Sequence, residues 1–348
     1  MKRIFFIFFS IFFLQACQKQ SSVNPDKDWV EVSQRFHYKE DKSMLNVRLD
    51  TQKYTFKKSE LPLKKMVFLN TSLLAYVEEL GLEDQILGVS SPEYVYSPSI
   101  KKRISEGKIQ NVGNEQKFEI EKIIQIKPDV VFSNYVQNFE STYEILRQNG
   151  IKVVFVDEYL EPSPLGKTSY LLLFGKLLGK EDMARQKIKS ISDEYTKWKN
   201  LASKQPTKPV VISSEMYGGF WYMPGGSSNI AQFLKDANAH YIETSNETKT
   251  IPYSFEEVYA KASEATFWVN AGNHTSKKDL LLSNPLYKRM NVFNKGKIYS
   301  VIGREEGMAN DFYQSGQVRA DLVLKDYIKI FYPTLLPNYK LYYMKEIF

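Results

Sequence analysis

The sequence predicts an α/β protein of two lobes, each a short, mostly parallel sheet with helices, bridged by one long α-helix. Three observations predict it. Residues 180–205 contain no Gly or Pro and stop at Pro206 and Pro209. Within them Ala184, Ile188, Ile191, Tyr195, Trp198 and Leu201 recur at steps of three and four, which sets them on one helical face. On both sides of this stretch strand and helix signals alternate, the pattern of a mostly parallel sheet. The order after it also echoes the order before it: Glu121-Lys122-Ile123 leads to an apolar strand at 129–132, as Glu256-Glu257-Val258 leads to one at 266–269. A chain of 348 residues is long enough for two such cores.

The bridging helix carries its own end signals. Glu181 and Asp182 sit at the positive end of its dipole, and Lys197, Lys199 and Lys204 at the negative end. At 1.5 Å per residue it is roughly 35 Å long, a small domain's diameter. The organisation that follows is a leader at 1–16, a tether with a β-hairpin at 17–60, and a first lobe at 61–180. The linking helix at 181–204 and a second lobe at 205–348 complete it.

At the N-terminus Lys2-Arg3 precedes a short apolar run, 4–14, broken only by Ser10. That is the pattern of an export signal, too short to remain as a membrane span. Leu14-Gln15-Ala16-Cys17 resembles a bacterial lipobox, which implies that Cys17 is lipid-modified and becomes the first mature residue. Cys17 is the only cysteine, so no disulfide is expected and stability rests on packing. Residues 18–27 are polar and suit a tether. Residues 29–58 alternate and are strongly charged, which reads as a hairpin with one solvated face.

In the first lobe, strands are expected at 66–69, 86–89, 129–132 and 152–156. Helices are expected at 73–80, 118–126 and 142–148. Thr71 or Ser72 would cap the first helix and Gly81 would end it. In the second lobe the strands fall at 209–213, 266–269 and 298–302, and the helices at 229–237, 255–261 and 318–331.

Several chemistries are argued against. Gly166-Lys167-Thr168-Ser169 lacks the glycine a phosphate loop needs at 161, which is Glu, and reads as a loop entering a helix. There is no Gly-x-Gly-x-x-Gly and no Gly-x-Ser-x-Gly. The three histidines, His37, His240 and His274, fall in different elements, against a His-rich metal cage. No catalytic set, metal ligand or cofactor is read from spacing. The net charge of +7 is spread along the chain without a basic block interleaved with aromatics, against nucleic-acid binding.

The segment that stands out is Tyr217-Gly218-Gly219-Phe220-Trp221-Tyr222-Met223-Pro224, just past the first strand of the second lobe. An aromatic, glycine-flanked loop is costly to expose, and strand ends are where α/β domains bind ligands. It reads either as a plug packed inside the lobe or as an aromatic wall for a flat or bulky ligand. The wall would comprise Tyr217, Phe220, Trp221 and Tyr222, with Trp268 nearby. Tyr94, Tyr96 and Tyr135 lie past strand ends on the opposite lobe. Arg304 offers a positive contact or a surface salt bridge.

At these residues the chain resembles the class III substrate-binding proteins of ABC importers, the family that carries ferric siderophores, haem and vitamin B12. The resemblance covers roughly residues 61–335. Phe118-Glu119-Ile120-Glu121-Lys122-Ile123 to Lys127-Pro128-Asp129-Val130-Val131 is similar to the family's most recognisable signature, and Ser254-Phe255-Glu256-Glu257-Val258 to its counterpart in the second lobe. It implies that Glu121 and Glu256 dock on arginines of a membrane permease. The tail from Ala309-Asn310-Asp311-Phe312-Tyr313 to Asp326 is similar to iron-complex and cobalamin binders.

The reading is therefore capture without chemistry. A monomer, lipid-anchored in the periplasm, holds a ferric siderophore or related chelate between its lobes and delivers it to an ABC permease and its ATPase. Cobalamin is the next ligand and haem the third, because no His or Tyr stands out as an axial ligand. A bare metal ion is disfavoured by the few histidines. An envelope enzyme is the alternative of another class, and no acid–base pair supports it.

Overall fold

A computed structural model describes residues 28–348 of the protein. The leader, Cys17 and most of the tether lie outside the described residues. These open with an antiparallel meander in which Val30–Glu31, Phe36–Glu40, Met44–Leu49 and Gln52–Lys57 pair in chain order. The expected hairpin is the middle of this sheet. Gln52–Lys57 offers only Tyr54 and Phe56 as apolar signal, too little to announce a further strand. One face buries Phe36, Tyr38, Leu45, Val47, Leu49 and Phe56. Phe36 lies against the Tyr170 ring, and the Tyr54 hydroxyl accepts from the backbone N–H of Phe155 at 2.8 Å. The meander is thus sealed onto the first lobe.

The first lobe's sheet is parallel, in the order Lys152–Phe155, Val130–Ser133, Met66–Phe68, Ile86–Val89 and Gln110–Asn111. Its central strands are apolar along their length, as burial on both faces requires. The first helix, Leu74–Glu79, is entered through a turn at Thr71–Leu73. Its cap is neither Thr71 nor Ser72. The Asn70 side-chain Oδ1 accepts from the Ser72 N–H at 2.8 Å, so the cap of the entering turn lies one residue earlier than expected. Gly81 is left-handed, at φ 64°, where the helix was expected to end.

The Gly166-Lys167-Thr168-Ser169 segment lies inside a helix, Pro164–Ser169, followed by Leu171–Leu178. Gly179 at φ 72° turns the chain into the bridging helix, Glu181–Ala202. Its apolar face buries Ala184, Ile191 and Tyr195. Near its start Lys187 pairs with Glu79 of the first lobe at 2.9 Å. Farther along, the Tyr195 hydroxyl donates to Asp236 of the second lobe at 2.7 Å. One helix therefore grips both lobes.

The second lobe's sheet runs His240–Tyr241, Val210–Ser213, Phe267–Val269, Lys297–Ser300 and Lys345–Ile347, parallel but for the last strand. Beside it the predicted aromatic loop is itself sheet: Phe220–Pro224 pairs with Met216–Tyr217 and Thr250–Tyr253. The closing helix, Ala320–Phe331, packs its apolar face inward. One apolar core runs from the meander through the first lobe and the bridging helix into the second lobe.

Candidate functional site between the lobes

Open α/β sheets bind ligands at the C-terminal ends of their parallel strands. From the first lobe come Asn70, Glu93, Tyr94, Asn134, Tyr135, Asp157 and Tyr159. From the second come Glu215, Asn270, His274, Glu305 and Tyr313. Tyr159 and Lys167 meet Pro224, Asn229, Phe312, Tyr313 and Gln317 around a cavity of about 270 Å³ that opens between the lobes.

Its floor is polar. The Glu158 carboxylate is buried and accepts from Ser72 Oγ at 2.9 Å and from Asn134 Nδ2 at 3.2 Å. Burial pushes its pKa up. Lys167 donates to Gln317 Oε1 at 2.6 Å across the cleft; burial pushes its pKa down, against the pull of Glu158 and Glu161. Burial, then the charges of Glu215 and Glu305, push the Tyr313 hydroxyl up. Burial, then Asp157 and Glu158, do the same at Tyr159.

The predicted aromatic wall divides by strand alternation. Phe220 and Tyr222 point outward, 50% and 42% exposed, and Tyr217 at the turn is 80% exposed. Trp221, between them, is fully buried and so is Trp268. Their rings lie 5.1 Å apart, and their indole N–H groups donate to the carbonyls of Ser213 (2.9 Å) and Ser214 (2.7 Å). The two tryptophans are core and cannot form a ligand wall, because a strand with alternate sides has only one side to offer. They fix the strand end from which the site residues project.

Tyr94 and Tyr135 are exposed at their strand ends. Tyr96 and Arg304 are brought together, though in a different role from the one expected. The Arg304 guanidinium lies over Tyr96 at 5.0 Å and Tyr342 at 4.4 Å, and its Nε donates to Asp311 at 2.5 Å. The Tyr96 backbone N–H donates to Gln314 Oε1 at 2.8 Å. This is an interlobe clamp around a separate cavity of about 290 Å³, and the Arg304 charge is already neutralised in it. Sequence reasoning missed Tyr159, Tyr313, Glu158 and Lys167. The first two follow strands as Tyr94 and Tyr135 do, so the same signal was present. Nothing local marked the buried pair.

Glu121 and Glu256 occupy matching places, each the second residue of a seven-residue helix, Ile120–Ile126 and Phe255–Lys261. Both are exposed, and neither forms an ion pair or hydrogen bond among the described residues. Glu257 differs. Its carboxylate accepts from the Ser254 N–H and hydroxyl, each at 2.7 Å, in a capping box.

Of the histidines, His274 reaches the cleft edge and shares a 2.6 Å contact with Glu215. Among the described residues no three His, Cys, Asp or Glu side chains are grouped to hold a metal ion. A separate groove of about 770 Å³ lies between Pro162–Leu165 of the first lobe, the second half of the bridging helix and the strand His240–Tyr241 of the second lobe. Among the described residues no helix is long and apolar enough to cross a membrane.

Residues 66–302, both sheets with the helix between them, match the model of the periplasmic binding protein family. The chain belongs to that family. As a periplasmic binding protein it is similar to the uncharacterized lipoprotein MJ0878 of Methanocaldococcus jannaschii. The two are 24% identical over 298 residues, 83% of this chain and 70% of the relative. Among solved structures it is similar to a periplasmic heme binding protein from Pseudomonas aeruginosa, with a TM-score of 0.62 and 17% identity. That match covers 82% of this chain and 98% of the other. It is also similar to the Fe3+-Desferal-bound siderophore binding protein FhuD from Vibrio cholerae, TM-score 0.56 and 16% identity, covering 78% and 98%. At these identities the structures speak for the fold, two lobes bridged by one helix in the class III arrangement that the sequence predicts.

Proposed function

We propose that this periplasmic binding protein is the capture component of an ABC importer, lipid-anchored through Cys17, that binds an iron chelate of the ferric siderophore type between its lobes. The observation that carries this is the placement of Tyr94, Tyr135, Tyr159, Tyr217, Phe220, Tyr222 and Tyr313. All are exposed at turns or strand ends, and Tyr159 and Tyr313 line the interlobe cavity. Exposed aromatics gathered at a cleft give apolar area to a bulky ligand, with hydroxyls to orient it. The similarity to a siderophore binder and a heme binder supports the same class of cargo. Glu121 and Glu256 then present two carboxylates on separate lobes to basic sockets of a permease.

Calorimetric titration of a soluble form starting after Cys17 tests this. The panel is a ferric tris-hydroxamate, a ferric tris-catecholate, cyanocobalamin and haemin. Saturation at one equivalent by a ferric hydroxamate or catecholate supports the reading. Saturation by cyanocobalamin or haemin alone replaces the cargo, and no binding by any member overturns it.

A further inference from the structure

The cations near the two cleft edges, Lys249 apart, are already engaged. Lys167 is bound to Gln317 and lies beside Glu158. Arg304 is bound to Asp311. Lys101 pairs with Glu306 at 2.8 Å. Arg147, over the Phe155 ring that Tyr135 packs on, pairs with Glu144 at 2.6 Å. Lys249 does not line the cavity that its neighbours Thr248 and Thr250 line.

Carboxylates on the same edges are left over. Glu93 and Glu305 form no ion pair with Lys, Arg or His among the described residues, Glu215 has only His274, and Asp157 has only the nearby charge of Arg35, which is itself paired with Asp50. The whole chain carries +7, so the sign here is the reverse of the average. The exposed tyrosine faces add quadrupoles that attract positive charge.

We infer that the ligand enters this cleft with zero or positive net charge, and that anionic chelates are rejected. The inference rests on the chelate-capture reading and adds the charge class of the cargo. An anionic complex would meet like charges in a partly desolvated cleft, with no uncommitted guanidinium or ammonium lining the cavity to bond it. A neutral complex avoids this, and a pendant ammonium gains from it.

The test holds the chelate constant and varies one charge. A linear ferric tris-hydroxamate is used with its terminal amine free (+1), acetylated (0) or succinylated (−1). A corrinoid series runs in parallel: aquacobalamin (+1), cyanocobalamin (0) and a cyanocobalamin monocarboxylate (−1). In whichever scaffold binds, the −1 form should bind at least tenfold more weakly than the +1 form. That gap should narrow in 0.5 M salt. It should also narrow in the Glu93→Gln/Glu305→Gln double variant, whose two sites are exposed and outside the core. Binding with no charge order, or tightest for the anion, overturns the inference while leaving chelate capture intact. If neither scaffold binds, the trianionic ferric tris-catecholate decides: its saturation overturns the charge inference alone, and its failure overturns both.

Discussion

Lys167 of the first lobe and Gln317 of the second are joined by a 2.6 Å hydrogen bond at the floor of the interlobe cleft. One residue along, Thr168 Oγ1 donates to the Val318 carbonyl at 2.7 Å. On the far side of the same segment Gln314 takes the Tyr96 N–H and donates to Glu78 at 3.1 Å. The stretch 314–318 is thus bonded to the first lobe on both flanks, which holds the lobes at a small, fixed opening. Lys167→Met should remove the strut and leave Glu158 buried without its cation. Denaturant unfolding should show a loss of about 1–3 kcal/mol, the cost of a lost charged hydrogen bond and an orphaned partner. A loss below the error of the measurement would mean that the Thr168 and Gln314 bonds hold the lobes without the Lys167 strut.

Strand alternation separates two kinds of aromatic in the Phe220–Pro224 segment. Trp221→Ala empties a fully buried site and should cost about 3–5 kcal/mol of stability. Tyr222→Ala removes an exposed ring and should leave the melting temperature within about 2 °C while weakening chelate binding. Calorimetric melting beside ligand titration checks both halves. If Tyr222→Ala melts as low as Trp221→Ala, the outward face is structural.

Much of the fold was legible because it rests on local signals. The strand and helix order follows from short apolar runs ended by Gly and Pro, and the bridging helix from its periodic face. Asn70 was passed over as a cap because three candidate residues stand in a row and only backbone angles choose among them. The tryptophans were misplaced for a related reason. Period-two alternation was present in Phe220-Trp221-Tyr222-Met223, yet the flanking glycines pointed to a loop, where alternation has no meaning. Arg304 and Lys167 owe their roles to partners across the lobe interface, and no spacing along the chain predicts those.

Glu243 gives a pH-dependent term. Burial raises its pKa, but the bonds it accepts from the Tyr253 hydroxyl at 2.6 Å, the Ser245 N–H at 2.8 Å and Lys261 at 3.0 Å more than offset that, so the carboxyl is pulled down to about 2. A folded-state pKa below the unfolded one favours folding above the unfolded value, near pH 4.5, and the benefit is lost as pH falls toward 2. Above the upper limit the contribution is on the order of 3 kcal/mol. Glu243→Gln should therefore be clearly less stable than the parent at pH 6, with most of that gap closed at pH 2.5. Parallel stability offsets at both pH values would refute the pKa assignment.

The adjacent Glu256 and Glu257 offer an internal control on permease docking. Glu257 is spent on the capping box, so Glu257→Ala should lower the melting temperature and leave delivery unchanged. Glu256 is free at the same helix start, as Glu121 is on the other lobe. Glu121→Ala and Glu256→Ala should each keep the melting temperature and chelate affinity of the parent. In membranes carrying the permease and its ATPase, each should lower ligand-stimulated ATP hydrolysis several-fold, and the double variant should lower it further, since two sockets on separate lobes are engaged at once. Both single variants working at the parental rate would place the docking surface elsewhere. A loss in Glu257→Ala equal to that in Glu256→Ala would assign the effect to helix stability and remove the case for a direct contact.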